Sequence, residues 1–483
     1  MRPESVAGLA RDRAWALTVW AAMLGWAIAL FVIVRDRHAD FRYARYDLGN
    51  MVQAVWNTAH GRPLEVTNGY TGEQMVRLGG HVDPILAVLA PLWIAVPSPL
   101  TLEAVQIVAV ALGALPLFWL GRRHLGSERT AALLAVAYLA YPWTAWTAVD
   151  AFHPVTLAIP LFLFCFWFLD TDRFVPFAFC AVLAASTGEL MGLVIAALGI
   201  WYALGRGRRR TGLAITAAGV GWTLFALYVI VPAFSGGASV FYGAFQEVGG
   251  SPWGVVRTAV TDPVTILSAV SRGDGLLYLF LLSAPLAGAF LLAPGLAAVA
   301  LPQLAVNLLA EGPGTTDPHE HYVAGILPFF FAAVAIGLAR LSPQGRVRGA
   351  ALVLALSLAA TIAVGPWPGS LLGTANWNPL PGSPEYIRAL DRAVELVPDG
   401  APVTTTNRVG SHLAARRHFY AVPVVGRAEW VVIESSDTWI PQAVTGLSDP
   451  GALRAFQIKI ERSPEWRKVF EESGILVFRK VRT

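Results

Sequence analysis

The stretch from Val82 to Val96, Val-Asp-Pro-Ile-Leu-Ala-Val-Leu-Ala-Pro-Leu-Trp-Ile-Ala-Val, decides how the whole chain is threaded. It is apolar but only about fifteen residues long and contains Pro84 and Pro91, whereas a helix crossing a hydrocarbon core of about 30 Å needs about 20 residues. It therefore reads as a juxtamembrane or re-entrant piece. With no crossing here, the next apolar run, 100–120, travels inward and delivers Arg122 and Arg123 to the cytoplasm, as the excess of basic residues in cytoplasmic loops requires. Counted as a span, Val82–Val96 would invert everything downstream and export Arg206 to Arg210.

Composition agrees with a membrane solvent. The chain has 483 residues, 55% hydrophobic and 14% charged, where a soluble domain carries about a quarter charged. Apolar runs near 14–34, 100–120, 130–147, 154–169, 174–188, 190–204, 212–233, 276–293, 295–310, 322–340 and 348–366 predict about eleven transmembrane helices. The first follows Arg11 and Arg13 and ends in Val34-Arg35-Asp36 with no small-x-small cleavage pattern, so it reads as an uncleaved anchor. The N-terminal segment, Arg122-Arg123-His124, Arg206 to Arg210 and Arg340 to Arg348 are placed inside. Arg35, Arg37, Arg42 and Arg45 run against that rule, with Asp36, Asp40 and Asp47 interspersed. The net charge of +4 reports topology and does not point to nucleic acid. Cys165 and Cys180 fall within apolar runs and read as packing residues.

The N-terminus is then cytoplasmic, and the outer face receives 35–99, 148–153, Gly188-Glu189, 234–275, 311–321 and everything beyond 366. Trp253 to Val270 mixes apolar residues with Arg257 and Asp262 and is expected along the interface. Gly365 to Pro384 is dense in Pro, Gly and Asn, and charge rises after it, so a boundary separates a transmembrane domain, 1–366, from an extracytoplasmic domain, 367–483. Within the latter, 384–396 and 449–460 predict helices, and 403–406, 430–434 and 475–479 predict strands, the pattern of a small α/β domain. The fold class is all-α polytopic with that domain appended.

This threading brings a set of acids and histidines to one face. Asp47 heads a helical stretch and reads either as a carboxylate favoured by the helix dipole or as a general base. His81 and Asp83 alternate, so an extended backbone would aim both at one metal or phosphate, while Asp83 before Pro84 also reads as a helix cap. Asp150 and His153 stand between two spans as caps or as a ligand pair. Glu189 sits between apolar runs with no Lys or Arg beside it, which marks a site or a hidden partner. Glu311 precedes the densest cluster, Asp317-Pro318-His319-Glu320-His321-Tyr322, where His319 and His321 align in an extended loop. A divalent cation is one expected occupant, with Asp47, His81, Asp83, His319 and His321 as candidate ligands.

Tyr46-Asp47-Leu48-Gly49, Gln53-Ala54-Val55-Trp56-Asn57, His60-Gly61, Gly80-His81-Val82-Asp83-Pro84, Pro97-Ser98-Pro99-Leu100-Thr101-Leu102 and Phe152-His153-Pro154 together resemble the DUF2079 family of bacterial membrane proteins. That family looks like a branch of the GT-C superfamily of membrane glycosyltransferases, in which a first-loop acid is the base and the donor is a polyprenyl-phosphate-linked sugar. The resemblance implies that Asp47 is this acid, and that His81 followed by Pro84 is similar to a His-Pro motif of the same loop. One departure stands out. Where a Lys-Glu-Asp-like motif is expected, this chain has Thr187-Gly188-Glu189-Leu190, so a phosphate-binding lysine would be replaced by Arg77, Arg42 or Arg45.

The resemblance therefore implies an inverting glycosyltransferase in the bacterial inner membrane, acting on an envelope glycan, lipid or protein. A transporter or lipid flippase is the alternative, since intramembrane acids also mark ion pathways, and a non-catalytic scaffold is a third.

Overall fold

The computed structural model describes residues 6–237, 239–312, 314–372, 383–442 and 445–481. The part of the expected domain boundary at 373–382 lies outside them. The first three quarters of the chain are helical. Among the described residues, four helices are long and apolar enough to cross a membrane: Ala14–Ala39, Pro99–Leu125, Arg209–Ser235 and Pro343–Val364. Two further candidates are bent, Glu128–Ala140 with Pro142–Val149 by 49° and Pro263–Ser271 with Gly275–Leu286 by 63°. Pro142 explains the first bend, because a proline supplies no N–H to the preceding turn and suits the start of a new helix.

Length and composition thus give four spans, or six with each bent pair taken as one, against the eleven expected. The remaining apolar runs fold as helices of 10–17 residues, among them Pro154–Asp170, Phe174–Ala185, Met191–Gly205, Pro294–Leu309 and Leu327–Leu338. At 1.5 Å per residue, a helix of about twelve residues covers only about 18 Å of bilayer. The run that decides the threading also falls in this class, as the short helix pair Ile85–Val88 and Ala90–Ala95, with Pro91 in the first turn of the second.

Side chains sort by face. On Ala14–Ala39, Leu17, Trp20, Leu24 and Ile28 are exposed at helical spacing and turn to lipid, while Val19, Met23, Trp26, Leu30 and Val34 are buried. Met191–Gly205 packs against Arg209–Phe225 through Gly192 and Gly199 on one helix and Gly212 and Gly219 on the other. A Cβ on Gly199 would lie 2.6 Å from the Thr216 nitrogen, so glycine is what lets these backbones touch.

The first loop builds a π-helical turn, Arg45–Gly49, the helix Asn50–Ala59, and a hairpin in which Glu65 faces Val76. The C-terminal domain centres on a five-stranded sheet in the order 419–421, 403–405, 430–434, 475–480, 466–472. The first two pairings are parallel and the rest antiparallel. The expected strands at 403, 430 and 475 and both expected helices are present, as Pro384–Glu395 and Pro450–Arg462. Sequence reasoning missed Trp466–Glu472, a charged edge strand, and the three-residue strand Phe419–Ala421, both too short or too polar to stand out.

This domain is bolted to the first loop. The fully buried Arg45 donates to the carbonyls of Phe419 at 2.8 Å and Thr67 at 3.3 Å, and its guanidinium lies against the Phe419 and Tyr46 rings. Gln53 donates to the Arg417 carbonyl at 2.8 Å, Ser411 to the Tyr43 carbonyl at 2.7 Å, and the Arg45 N–H to the Asn407 carbonyl.

Candidate functional site

Two helix junctions and the loop before Leu327 meet beneath this first-loop platform. The turn 150–153 is held by its backbone from the neighbouring helix Pro99–Leu112, where Glu103 and Gln106 lie one turn apart on the same face. Glu103 accepts from the Phe152 N–H at 3.0 Å; Gln106 donates to the Asp150 carbonyl at 2.8 Å and accepts from the His153 N–H at 3.0 Å. Both are fully buried. Neither was singled out by sequence, although a lone acid inside an apolar span is a recognisable signal.

On that framework Asp150, His153 and His321 converge, with one ligand-type atom from each lying within 4.8 Å of the others. Asp150 Oδ1 accepts from the Ala151 N–H, and Oδ2 lies 3.2 Å from His321 Nδ1 and 3.8 Å from His153 Nδ1. His153 Nδ1 is 2.7 Å from the Ala151 carbonyl, so it carries the hydrogen and Nε2 is left as the free lone pair. The two imidazoles stack face to face, centroids 3.6 Å apart and 16° from parallel.

Electrostatics extends the cluster to Asp47 and Glu320. Burial, and then the charge of Asp150, push the Asp47 carboxyl up to about 7. Burial followed by Asp150, Asp47 and Asp317 raises Glu320 to about 9. Neither carboxyl has a hydrogen-bond or ion-pair partner among the described residues. Burial also raises Asp150, against the opposing pull of His153, and it lowers His153 and His321 to about 3, so both rings are neutral at physiological pH. Tyr322 stacks obliquely on His321 at 4.3 Å. Arg37, at the end of the first long helix, is a positive charge felt by Asp150 and was not anticipated.

The other expected site residues are arranged around this centre or away from it. His81 pairs with Glu189 at 3.5 Å, stacks on Phe241 and stands close enough for its charge to act on His321. Glu189 also accepts from the Val82 N–H, which supplies the partner its sequence context lacked. Asp83 is taken up by Arg77 at 2.8 Å, both buried, and makes no capping hydrogen bond. His319 pairs with Asp317 at 2.6 Å against the edges of Trp143 and Trp146. Glu311 instead accepts from the Glu247 N–H in the segment 234–275. Of the five candidate metal ligands, only His321 belongs to the compact trio.

The trio's donor types suit a divalent cation. A metal lies in the plane of each imidazole it binds, however, and two rings stacked in parallel share no such plane. One ring would have to turn before both could ligate, so the trio as arranged does not fit a shared metal ion.

A helical bundle with a buried polar site at one end, roofed by a loop and a small sheet domain, defines a polytopic membrane protein with an appended sheet module. Residues 37–461 match the model of DUF2079, described as a predicted membrane protein, and the chain belongs to that family. No curated protein matches it. Its fold is similar to that of ArnT from Cupriavidus metallidurans. The structure of that protein bound to undecaprenyl phosphate aligns with TM-score 0.54 and 12% identity over 96% of this chain and 98% of the other. The apo structure gives 0.51 and 12% over 97% and 98%. At this identity the likeness is one of fold.

Proposed function

We propose that this protein transfers a sugar from a polyprenyl-phosphate carrier to a hydroxyl acceptor at the outer face of the bacterial inner membrane, with the N-terminus inside. The observation that carries the reading is Asp47, an unpartnered carboxyl set beside Asp150 and Glu320 and raised to about 7. A base so poised is half ionised at working pH and strong enough to take a proton. Support comes also from the shared fold with a protein whose structure holds undecaprenyl phosphate.

In this reaction the acceptor oxygen attacks the anomeric carbon as its proton passes to Asp47. The bond from that carbon to the phosphate oxygen breaks, polyprenyl phosphate leaves with the electron pair, and the anomeric configuration inverts. Glu320, protonated at neutral pH, donates a hydrogen bond to substrate oxygen. Arg45 is sealed in the domain interface and Arg77 is committed to Asp83. Arg42, about one-third exposed and 3.5 Å from the exposed Asp40, and the half-exposed His81, 3.5 Å from Glu189, keep accessible surface and are therefore the groups to meet the phosphate.

The test uses the full chain in proteoliposomes with a labelled undecaprenyl-phosphate sugar and an envelope extract as acceptor source. Wild type is expected to release undecaprenyl phosphate and label the extract, and Asp47→Asn to lower this by about 10²–10⁴. Equal turnover in a folded Asp47→Asn variant removes the base. Uptake of label without transfer favours a transporter.

A further inference from the structure

The end of the bundle opposite the site carries a second feature that sugar transfer does not use. Along the helix Pro99–Leu125, Arg122 lies nineteen residues beyond Glu103, a rise of about 28 Å. There a cleft of about 1370 Å³ opens between the start of the first long helix, the turn 122–129 and the end of Pro154–Asp170. One wall is aromatic, formed by the half-buried Trp15, Trp119, Trp167 and Phe164, with Trp119 and Trp167 centroids 5.6 Å apart. The rim is cationic, with Arg122, Arg123, Arg129 and Arg173.

Two of the four rim arginines are neutralised from within, and two are left unpaired among the described residues. Arg122 pairs with Glu128, the one acid among the described residues of the lining, and Arg123 shares the buried Asp170 with His124 and Arg206. Arg129 and Arg173 are exposed and make no ion pair or side-chain hydrogen bond among the described residues. Indole rings at the depth of a polar–apolar boundary next to unpaired guanidinium groups fit one molecule with a phosphate at its head and hydrocarbon behind it. A soluble phosphate would use the rim and leave the aromatic wall bare.

We propose that this cleft binds an anionic phospholipid of the inner leaflet, its phosphate between Arg129 and Arg173 and its acyl chains along Trp15, Trp119 and Phe164. The inner-leaflet placement follows from the positive-inside distribution of the same arginines, and the proposal is independent of the transferase reading.

The experiment is native mass spectrometry of the detergent-solubilised full chain, titrated separately with phosphatidylglycerol, phosphatidylcholine and inorganic phosphate. Wild type is expected to retain phosphatidylglycerol over phosphatidylcholine, and Arg129→Gln with Arg173→Gln to reduce that preference on the order of tenfold or more. The Arg129→Lys, Arg173→Lys variant keeps the charge and is expected to keep most of the preference, which controls for folding. Equal retention of the two lipids by wild type, an unchanged preference in the glutamine variant, or displacement of the lipid by inorganic phosphate would overturn the proposal.

Discussion

His153 and His321, from loops preceding two different helices, lie with their rings stacked at 3.6 Å and the Asp150 carboxylate at their edge. Stacking of two neutral imidazoles against a carboxyl whose ionisation is disfavoured by burial makes a polar knot held at little cost in net charge. Asp150→Asn keeps the shape and removes the buried charge. We expect its thermal midpoint to equal or exceed that of wild type while sugar transfer falls on the order of a hundredfold. A midpoint lowered by many degrees, read from intrinsic tryptophan fluorescence, would assign Asp150 to structure alone.

The pH dependence follows from Asp47. A base must be ionised, and because burial lifts this carboxyl to about 7, the ionised form is lost on acidification through pH 7 and not near 4. The transfer rate at low substrate is expected to rise about tenfold per pH unit below that value and to level off above it. A rate constant from pH 5 to 8 would exclude Asp47 as the group that takes the proton.

For the stacked histidines, transfer is expected to persist when divalent cations are stripped with EDTA. Loss of activity restored by a single divalent cation, together with loss of that restoration in His321→Ala, would show that one ring turns to ligate a metal.

Arg45 fixes the C-terminal domain. Arg45→Met leaves the carbonyls of Thr67 and Phe419 without their donor, at a cost of about 1–3 kcal/mol for each buried acceptor. The C-terminal domain is expected to become sensitive to limited proteolysis at protease levels that spare wild type, with Arg45→Lys intermediate. Gly410 tests the same contact from the other side, since a Cβ there would lie 3.0 Å from Arg45 Cγ and from Phe419 Cζ. Gly410→Val is expected to loosen the domain as Arg45→Met does, and unchanged protection in both variants would refute the latch.

Several site residues could be read directly from the chain because they break a local rule. Asp47, Asp150, His153, Glu189 and His321 are ionisable residues beside apolar runs, and the threading placed them on one face. Their partners could not be read, since Glu103 meets Phe152 and His81 meets Glu189 only after helices pack. The same holds for Asp83, whose alternation with His81 suggested a shared ligand, and for Arg77, read as a replacement for a phosphate-binding lysine, since the fold ties the two to each other.

What the sequence determined by itself is the membrane solvent, the succession of apolar runs and most elements of the small domain, because hydrophobic periodicity and proline act over a few residues. Val82–Val96 belongs here too: its length and two prolines already forecast the short broken helix it forms. Tertiary structure alone decided which runs become long straight helices, which acids remain unpartnered, and that a conspicuous arginine is a bolt and not a phosphate ligand. Those outcomes depend on desolvation and on contacts between distant segments, and Arg45 shows why: its charge is legible in the chain, but its burial against Phe419 exists only once the last domain has docked on the first loop.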